Sequence, residues 1–410
     1  MVSLDYLYKK FVNLGVFSRG LLVVVKPLAL WLSIKFDTDA GLAVAQIYLI
    51  GLLFVSLSGT NAHRSFYQLY FGVEEQNHSK NVARSYISYI QKITLQLMFV
   101  FIVSLLVASA VFWDSFNIVM MGIIYGIAEK LNDEFQRYTQ FRNNSKNLFY
   151  LALSKLIPVL IAASLSYAVI VDIRFSFPVL LLVGSIFVNL PTIYSAICYL
   201  IKTARKSFFA TIKRSCNYIR EDILQIGCVF MGISLVSIDK WLIQYFSTSE
   251  LPMYMLYTQI ASVFIVIQTI VLIAPVRARL VNENPKEIKA IKIGSPIISL
   301  IPLLLGIALY YYNDIKEDSG NIGHFAFFFA AIVTFTVAYA ERLYWVISTP
   351  VRLALDVAIV TTFILLFVVL TIFWPSLNFI VLGLVLLFCL MCIRLIAIMY
   401  LLNANKVHKM

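Results

Sequence analysis

The chain has 410 residues, of which 61% are hydrophobic and 13% charged, with a mean hydropathy of +0.86. Soluble domains carry about 25% charged residues, so a water-soluble globule is excluded, and no polar stretch is long enough to hold a soluble catalytic or nucleotide-binding domain. The formal net charge of +12 would suit nucleic acid or an anionic membrane surface, and the placement of the charges decides between them.

Apolar runs between polar breaks predict spans near 14–34, 41–61, 87–111, 115–136, 148–171 and 177–201. Six more follow near 222–246, 253–275, 293–313, 322–345, 353–374 and 377–402. Each is close to the ~20 apolar residues that cross a bilayer as a helix. The expected architecture is all-α: a polytopic integral membrane protein of about 12 transmembrane helices, in two six-helix lobes around a central cavity. The N-terminal lobe is expected over 1–201, a basic cytoplasmic linker over 202–221 and the C-terminal lobe over 222–410. In the linker, Phe208, Ile212, Cys216 and Ile219 recur at helical spacing, while Lys206, Lys213 and Arg220 recur on another face. That pattern suits either a basic amphipathic helix on the inner leaflet or a solvated connector.

Positively charged connections are retained in the cytoplasm. The termini and the connections 62–86, 137–147, 202–221, 276–292 and 346–352 hold 22 of the 33 Lys and Arg. The alternate connections hold Lys35, Arg174 and Lys316 and collect acids such as Asp37, Asp39, Asp114, Asp314 and Asp318. Both termini are thus expected in the cytoplasm, with the chain in the bacterial inner (cytoplasmic) membrane, and the positive balance is topogenic rather than a sign of nucleic-acid binding. Lys9 and Lys10 precede the first apolar run without a following small-residue cleavage site, so the first helix is expected to stay as an anchor. None of the five cysteines falls in an outer loop, which argues against structural disulfides, and the CxxC spacing of Cys389 and Cys392 lies in a continuous apolar run and reads as packing.

Pro27, Pro158, Pro191, Pro275, Pro296 and Pro302 fall within or beside spans. Each removes a backbone hydrogen bond and allows a helix to bend. Charged residues inside spans say more, because a charge at mid-bilayer costs several kcal/mol and is kept for a partner or a wet cavity. Arg342 with Glu341, Arg352 with Asp356, Lys92 and Arg394 lie near cytoplasmic helix ends, where long side chains snorkel. Arg19 and Lys26 are seven residues apart on one face of the first span, and Lys26 is near its centre. In the fourth span Glu129, Asp133 and Gln136 share one face and Lys130, Glu134 and Arg137 the next. Lys155 lies one turn before Pro158, and the seventh span carries Ser234, Ser237, Asp239, Lys240 and Gln244. Turning these faces toward one cavity gives it an excess of cation and hence an anionic cargo. The same residues could instead lock helices together as ion pairs. Tyr125, Tyr138, Tyr254 and Tyr257, with Gln268, offer rings and polar groups suited to sugars, or ordinary interfacial packing.

Two six-helix lobes, the start Gly15-Val-Phe-Ser-Arg19-Gly, and the run Ser237-Ile-Asp239-Lys240-Trp-Leu-Ile-Gln-Tyr-Phe246 make the chain resemble the polysaccharide-exporter branch of the multidrug/oligosaccharidyl-lipid/polysaccharide exporter superfamily, the O-antigen and capsule repeat-unit flippases. The resemblance implies movement of undecaprenyl-diphosphate-linked oligosaccharide from the cytoplasmic to the periplasmic leaflet by alternating access. It implies membrane lipids and polysaccharide polymerase or assembly proteins as partners. The helix 1 cations Arg19 and Lys26 and the helix 7 pair Asp239 and Lys240 carry over, with Arg64 placed to meet an entering phosphate; Lys130 and Lys155 complete the expected substrate-binding set. No cofactor or metal is expected. If an ion (proton or sodium) couples transport, Glu129, Asp133 and Asp239 are the carboxylates available. Outward movement of a diphosphate is also favoured by an inside-negative potential, about 2.3 kcal/mol per charge per 100 mV.

A drug or cation antiporter of the same superfamily shares the architecture but would call for an acidic cavity. A membrane enzyme acting on lipid-linked sugars would call for a larger outer loop than the connection around Asn313 to His324, so no enzymatic activity is expected. The sequence contains no GxxxxGK[ST] phosphate loop, HExxH or zinc-like Cys/His cluster.

Overall fold

The structure, a computed structural model, describes residues 14–57, 78–111, 116–141, 145–167, 190–268, 285–315, 323–346, 349–374 and 378–407, together with 179, 183 and 186. Among them are twelve α-helices and no strand. The first six are α1 (Leu14–Phe36), α2 (Thr38–Leu57), α3 (His78–Val111), α4 (Phe116–Phe141), α5 (Ser145–Tyr167) and α6 (Leu190–Lys206). The second six are α7 (Phe208–Phe246), α8 (Leu251–Gln268), α9 (Pro285–Ile315), α10 (Gly323–Val346), α11 (Thr349–Phe373) and α12 (Phe379–Val407). Each helix overlaps one predicted span. Seven are long and apolar enough by composition alone to cross a membrane; α4 is not among them, because Glu129, Lys130, Asp133 and Glu134 crowd one stretch of it. The protein is an all-α polytopic membrane protein. Large apolar side chains such as Leu304, Leu365 and Ile396 project from its helices, as befits a chain solvated by hydrocarbon, where the helix satisfies its own backbone groups.

Pro27 and Pro158 sit inside α1 and α5, and Pro296 and Pro302 inside α9, without ending those helices. Pro191 occupies the first turn of α6, where its missing N–H costs nothing. Pro275 lies outside the described residues.

Residues 202–221, expected as a linker, comprise the end of α6, the single non-helical residue Ser207 and the first turns of α7. The Ser207 Oγ accepts the Ala210 N–H at 3.1 Å and so starts α7 as an N-cap. No Pro or Gly interrupts the chain from there to Gly227, so the helix continues unbroken into the predicted seventh span. The chain forms two compact units, 1–233 and 234–410.

In the first unit α2 packs along α4, α1 along α5 and α2, and α3 and α6 against α4. Glycines bring α2 and α4 together: a Cβ on Gly126 would lie 2.9 Å from the Gly51 Cα and carbonyl O, and one on Gly51 would lie 2.8 Å from the Tyr125 ring. Small residues at such crossings let backbones approach in a membrane. In the second unit α10 is the hub, packed on α9, α12 and α8, with α11 against α12.

Candidate functional site

The close α2–α4 crossing fixes the rotation of α4, and one turn beyond its glycine contact that helix presents Glu129. The Lys26 Nζ of α1 lies 2.9 Å from the Glu129 Oε1, and the Lys155 Nζ of α5 donates to Oε2 at 2.7 Å. One carboxylate thus bridges two ammonium groups from two other helices. The Glu129 and Lys155 side chains are 11% and 12% exposed, and that of Lys26 is 36% exposed. Asp133, one turn further along the same face of α4, interacts electrostatically with both lysines, so the four groups together are formally neutral. Beside them the Tyr48 and Tyr125 rings meet at a centroid distance of 5.4 Å. Both residues are buried, and the Tyr48 hydroxyl makes no hydrogen bond among the described residues.

The adjacent face of α4 forms a second buried group. Lys130 pairs with Glu134 at 3.0 Å, and the Tyr89 hydroxyl of α3 donates to the Glu134 Oε2 at 2.6 Å. A charge with two partners answers the desolvation that burial imposes, and removing one partner of such a pair costs far more than the pair contributes.

In the second unit Asp239 is fully buried on α7. Its Oδ2 accepts the Tyr254 hydroxyl of α8 at 2.5 Å and lies 3.2 Å from the Lys240 Nζ, which stands 5.8 Å from the Tyr254 ring centroid. Gly383 of α12 makes room for this ring: a Cβ there would come within 3.0 Å of the Tyr254 Cε2 and Oη. Elsewhere in the unit Gln268 donates to the Ser295 Oγ at 2.7 Å.

Of the residues read as functional from sequence, the structure joins Lys26, Glu129 and Lys155 in one cluster with Asp133 beside it. It pairs Lys130 with Glu134 instead, and Asp239 with Lys240. Arg19 lies on α1 with its side chain outside the described residues, as are Arg64 entirely and the Tyr138 side chain. The sequence reading counted a cationic excess that included Arg19 and omitted Glu134; in the described groups Lys26, Lys130, Lys155 and Lys240 face Glu129, Asp133, Glu134 and Asp239. Each lysine has a carboxylate partner, so ion pairing is a property of every one of these positions.

Sequence reasoning missed two participants. Tyr48 and Tyr89 are interior tyrosines that no charge pattern singled out, although Tyr89 lies on the buried stripe of α3 with Ile90, Ile93 and Leu97. Asp356, read with Arg352 as a snorkelling pair near a cytoplasmic helix end, is fully buried on α11 and also accepts from Arg394 of α12, at 3.1 and 3.2 Å from its Oδ1. The Arg352 side chain is outside the described residues. Cys389 and Cys392 lie on α12, exposed and half-buried.

No known family and no curated protein matches the sequence. Among solved structures, the chain is similar to an outward-facing multidrug-resistance MATE family transporter of the MOP superfamily, with 12% identity, 95% of this chain and 96% of that chain covered, and a TM-score of 0.45. It is also similar to a MOP superfamily transporter from Pyrococcus furiosus described as having a binding pocket of reversed polarity, with 11% identity, the same 95% and 96% covered, and a TM-score of 0.43.

Proposed function

We propose that this chain is a flippase that moves an oligosaccharide linked to undecaprenyl diphosphate from the cytoplasmic to the periplasmic leaflet by alternating access. The observation that carries the reading is the Lys26–Glu129–Lys155 bridge, a two-ammonium site inside a helical membrane protein. A polyprenyl tail can stay in hydrocarbon while its charged, hydrated head cannot cross unaided. Two ammonium groups are suited to a phosphate through charge-assisted hydrogen bonds.

In this reading Glu129 is the resident anion of an empty site. An arriving diphosphate displaces the carboxylate from Lys26 and Lys155, and Glu129 takes the lysines back when the cargo leaves. The exchange keeps both ammonium groups compensated at every stage, which lowers the barrier to loading and to release. The two helical units rock about this step, and Pro27 and Pro158, in the same helices as the two lysines, supply the bends. Drive comes from the membrane potential acting on the cargo, or from a proton or sodium ion taken by Asp133 or Asp239.

The test is depletion of the protein in its source cell with leaflet-resolved measurement of lipid-linked oligosaccharide. Accumulation on the cytoplasmic face is the expected result, and unchanged distribution overturns the reading. A second reading, export of cationic drugs, is favoured by the carboxylate facing every described buried lysine, since a cavity without excess positive charge does not repel cations. It predicts unchanged lipid-linked sugar and increased sensitivity to cationic drugs on depletion.

A further inference from the structure

A groove within the first unit, lined by residues other than those of the lysine–glutamate cluster, has a chemistry that neither transport reading uses. At the α6–α7 corner lies a cavity of about 350 Å³ lined by Gln91 of α3, Tyr199 and Lys202 of α6, and Ser207, Thr211 and Arg214 at the start of α7. Both basic side chains are exposed toward its opening, and among the described residues no carboxylate pairs with either. The corner exists because Ser207 ends the α6 register and caps α7, with the Thr211 hydroxyl donating to the Ser207 carbonyl at 3.0 Å.

Directly along the same two helices a second cavity, about 360 Å³, is almost wholly apolar. On α3 its lining runs through Thr94, Leu97, Met98 and Phe101, continuing from Gln91 of the first cavity. On α6 it runs back through Leu200, Ile197 and Ile193, continuing from Lys202 and Tyr199. A polar basic end therefore passes into an apolar slot along one helix–helix groove. Ile197 and Ile201 are about half exposed on its α6 side and Phe209 is 83% exposed beside the basic end, an apolar rim open to hydrocarbon.

We propose that the α3–α6 groove binds a membrane lipid, with its phosphate between Lys202 and Arg214 and its hydrocarbon chain in the slot lined by Leu97, Phe101 and Ile197. Charge selects the head: an Arg and a Lys with no acidic partner among the described residues attract an anionic phosphate, and Gln91 and Tyr199 offer further hydrogen-bonding groups to its oxygens. Continuity selects a lipid over a soluble phosphate, since only an amphiphile fills both cavities at once. The juxtamembrane basic run from Lys202 to Arg220 adds a general attraction to anionic headgroups. The site is separate from the Lys26–Glu129–Lys155 bridge, so it stands or falls independently of the transport reading.

The experiment is binding to the purified full-length protein in detergent, by native mass spectrometry and by shift of the unfolding temperature. The probes are dioleoyl phosphatidylglycerol, undecaprenyl phosphate, dioleoyl phosphatidylcholine and inorganic phosphate. The two anionic lipids are expected to bind and stabilise. The double variant Lys202→Ala/Arg214→Ala is expected to weaken them about tenfold or more, the effect of losing roughly one charge-assisted contact. Lys213→Ala, on the same helix and not lining either cavity, is expected to leave binding unchanged, and Lys202→Arg to retain it. Ile197→Trp, which fills the slot, is expected to weaken the lipids and leave any inorganic phosphate binding as it was.

Because Lys202 and Arg214 are exposed, their removal tests binding without threatening the fold. Wild-type lipid binding by the double variant overturns the proposal. So does inorganic phosphate binding as tightly as the lipids, which would make the basic cavity a phosphate site with no role for the slot, and so does phosphatidylcholine binding as tightly as phosphatidylglycerol. Whichever anionic lipid binds more tightly identifies the source of the phosphate.

Discussion

The two units repeat one packing scheme with different chemistry. In the first, α4 packs on α2, α3 and α6; in the second, α10 packs on the corresponding α8, α9 and α12. Yet α4 carries three acids and a lysine within six residues, Glu129, Lys130 and Glu134 buried and Asp133 half-buried, whereas the described side chains of α10, residues 324–335, include no Asp, Glu, Lys or Arg. The close contacts differ in kind as well. Glycines 51, 122 and 126 bring α2 against α4, while α8 meets α10 through the Phe264–Phe327 ring pair at 6.0 Å. The described part of α10 packs without ionic side chains, and the Ser295 hydroxyl of α9 donates to its Phe335 carbonyl at 3.3 Å. Charged residues such as those on α4 are expensive in a membrane and are kept for a partner or a task.

That contrast predicts its own largest effect at Glu129. Replacing it with Ala strands two ammonium groups beside each other, and a loss of about 3–5 kcal/mol is expected, the cost of breaking a buried pair. Unfolding of the purified protein in detergent measures it. The triple variant Lys26→Met/Glu129→Leu/Lys155→Met should regain most of that stability, since apolar replacement of a whole ionic group is often neutral or favourable, while losing transport. An unchanged unfolding midpoint for Glu129→Ala would show that α4 is held by its apolar contacts and not by the bridge.

A smaller effect is expected in the second unit. Tyr254→Phe removes the hydroxyl donor to Asp239 while keeping the ring against Gly383, so about 1.5–3 kcal/mol should be lost, as for hydrogen bonds to charged groups. Asp239→Asn in the same background should recover part of it, because a neutral amide needs less compensation. No difference between wild type and Tyr254→Phe would mean that Lys240 alone satisfies the carboxylate.

The third expectation compares two glycines. Gly126→Ala places a Cβ against the backbone of α2, and about 1–3 kcal/mol should be lost, as in overpacked cores. Gly20→Ala on α1 meets nothing within 4 Å and should be neutral or stabilise by up to about 1 kcal/mol through helix propensity. Equal effects at the two positions would remove the close α2–α4 approach from the account of how Glu129 is aimed.

Much of this molecule was legible before any coordinates. An apolar run of membrane length is a local property, because the bilayer rewards each such run separately and the helix satisfies its own backbone groups. For that reason twelve predicted spans overlap twelve helices, even where α4 is too charged to be recognised by apolarity alone. The shared helical face of Lys130 and Glu134 was equally local and readable, although the sequence reading makes Lys130 a substrate cation and does not pair it with Glu134. The corner at Ser207 was not: a connector between lobes and a cap between two helices differ by one residue, and the polar composition of 202–221 fits both.

Partnership across helices could be raised from the sequence as an alternative but not decided there. Lys26 has no acid near it in its own helix, and the charge pattern made it a bare cation, but α1, α4 and α5 meet at Glu129 and compensate it. Asp356 meets Arg394, 38 residues further along the chain, because α11 and α12 turn those faces together. The groove behind Lys202 exists only because α3 and α6 pack with a basic end and an apolar slot in register. Composition and periodicity determined that this chain is a many-spanning helical membrane protein with charges inside it. The tertiary structure decided which of those charges meet, since contacts between residues far apart in the chain depend on the rotation and depth of each helix, and those are set by packing against neighbours.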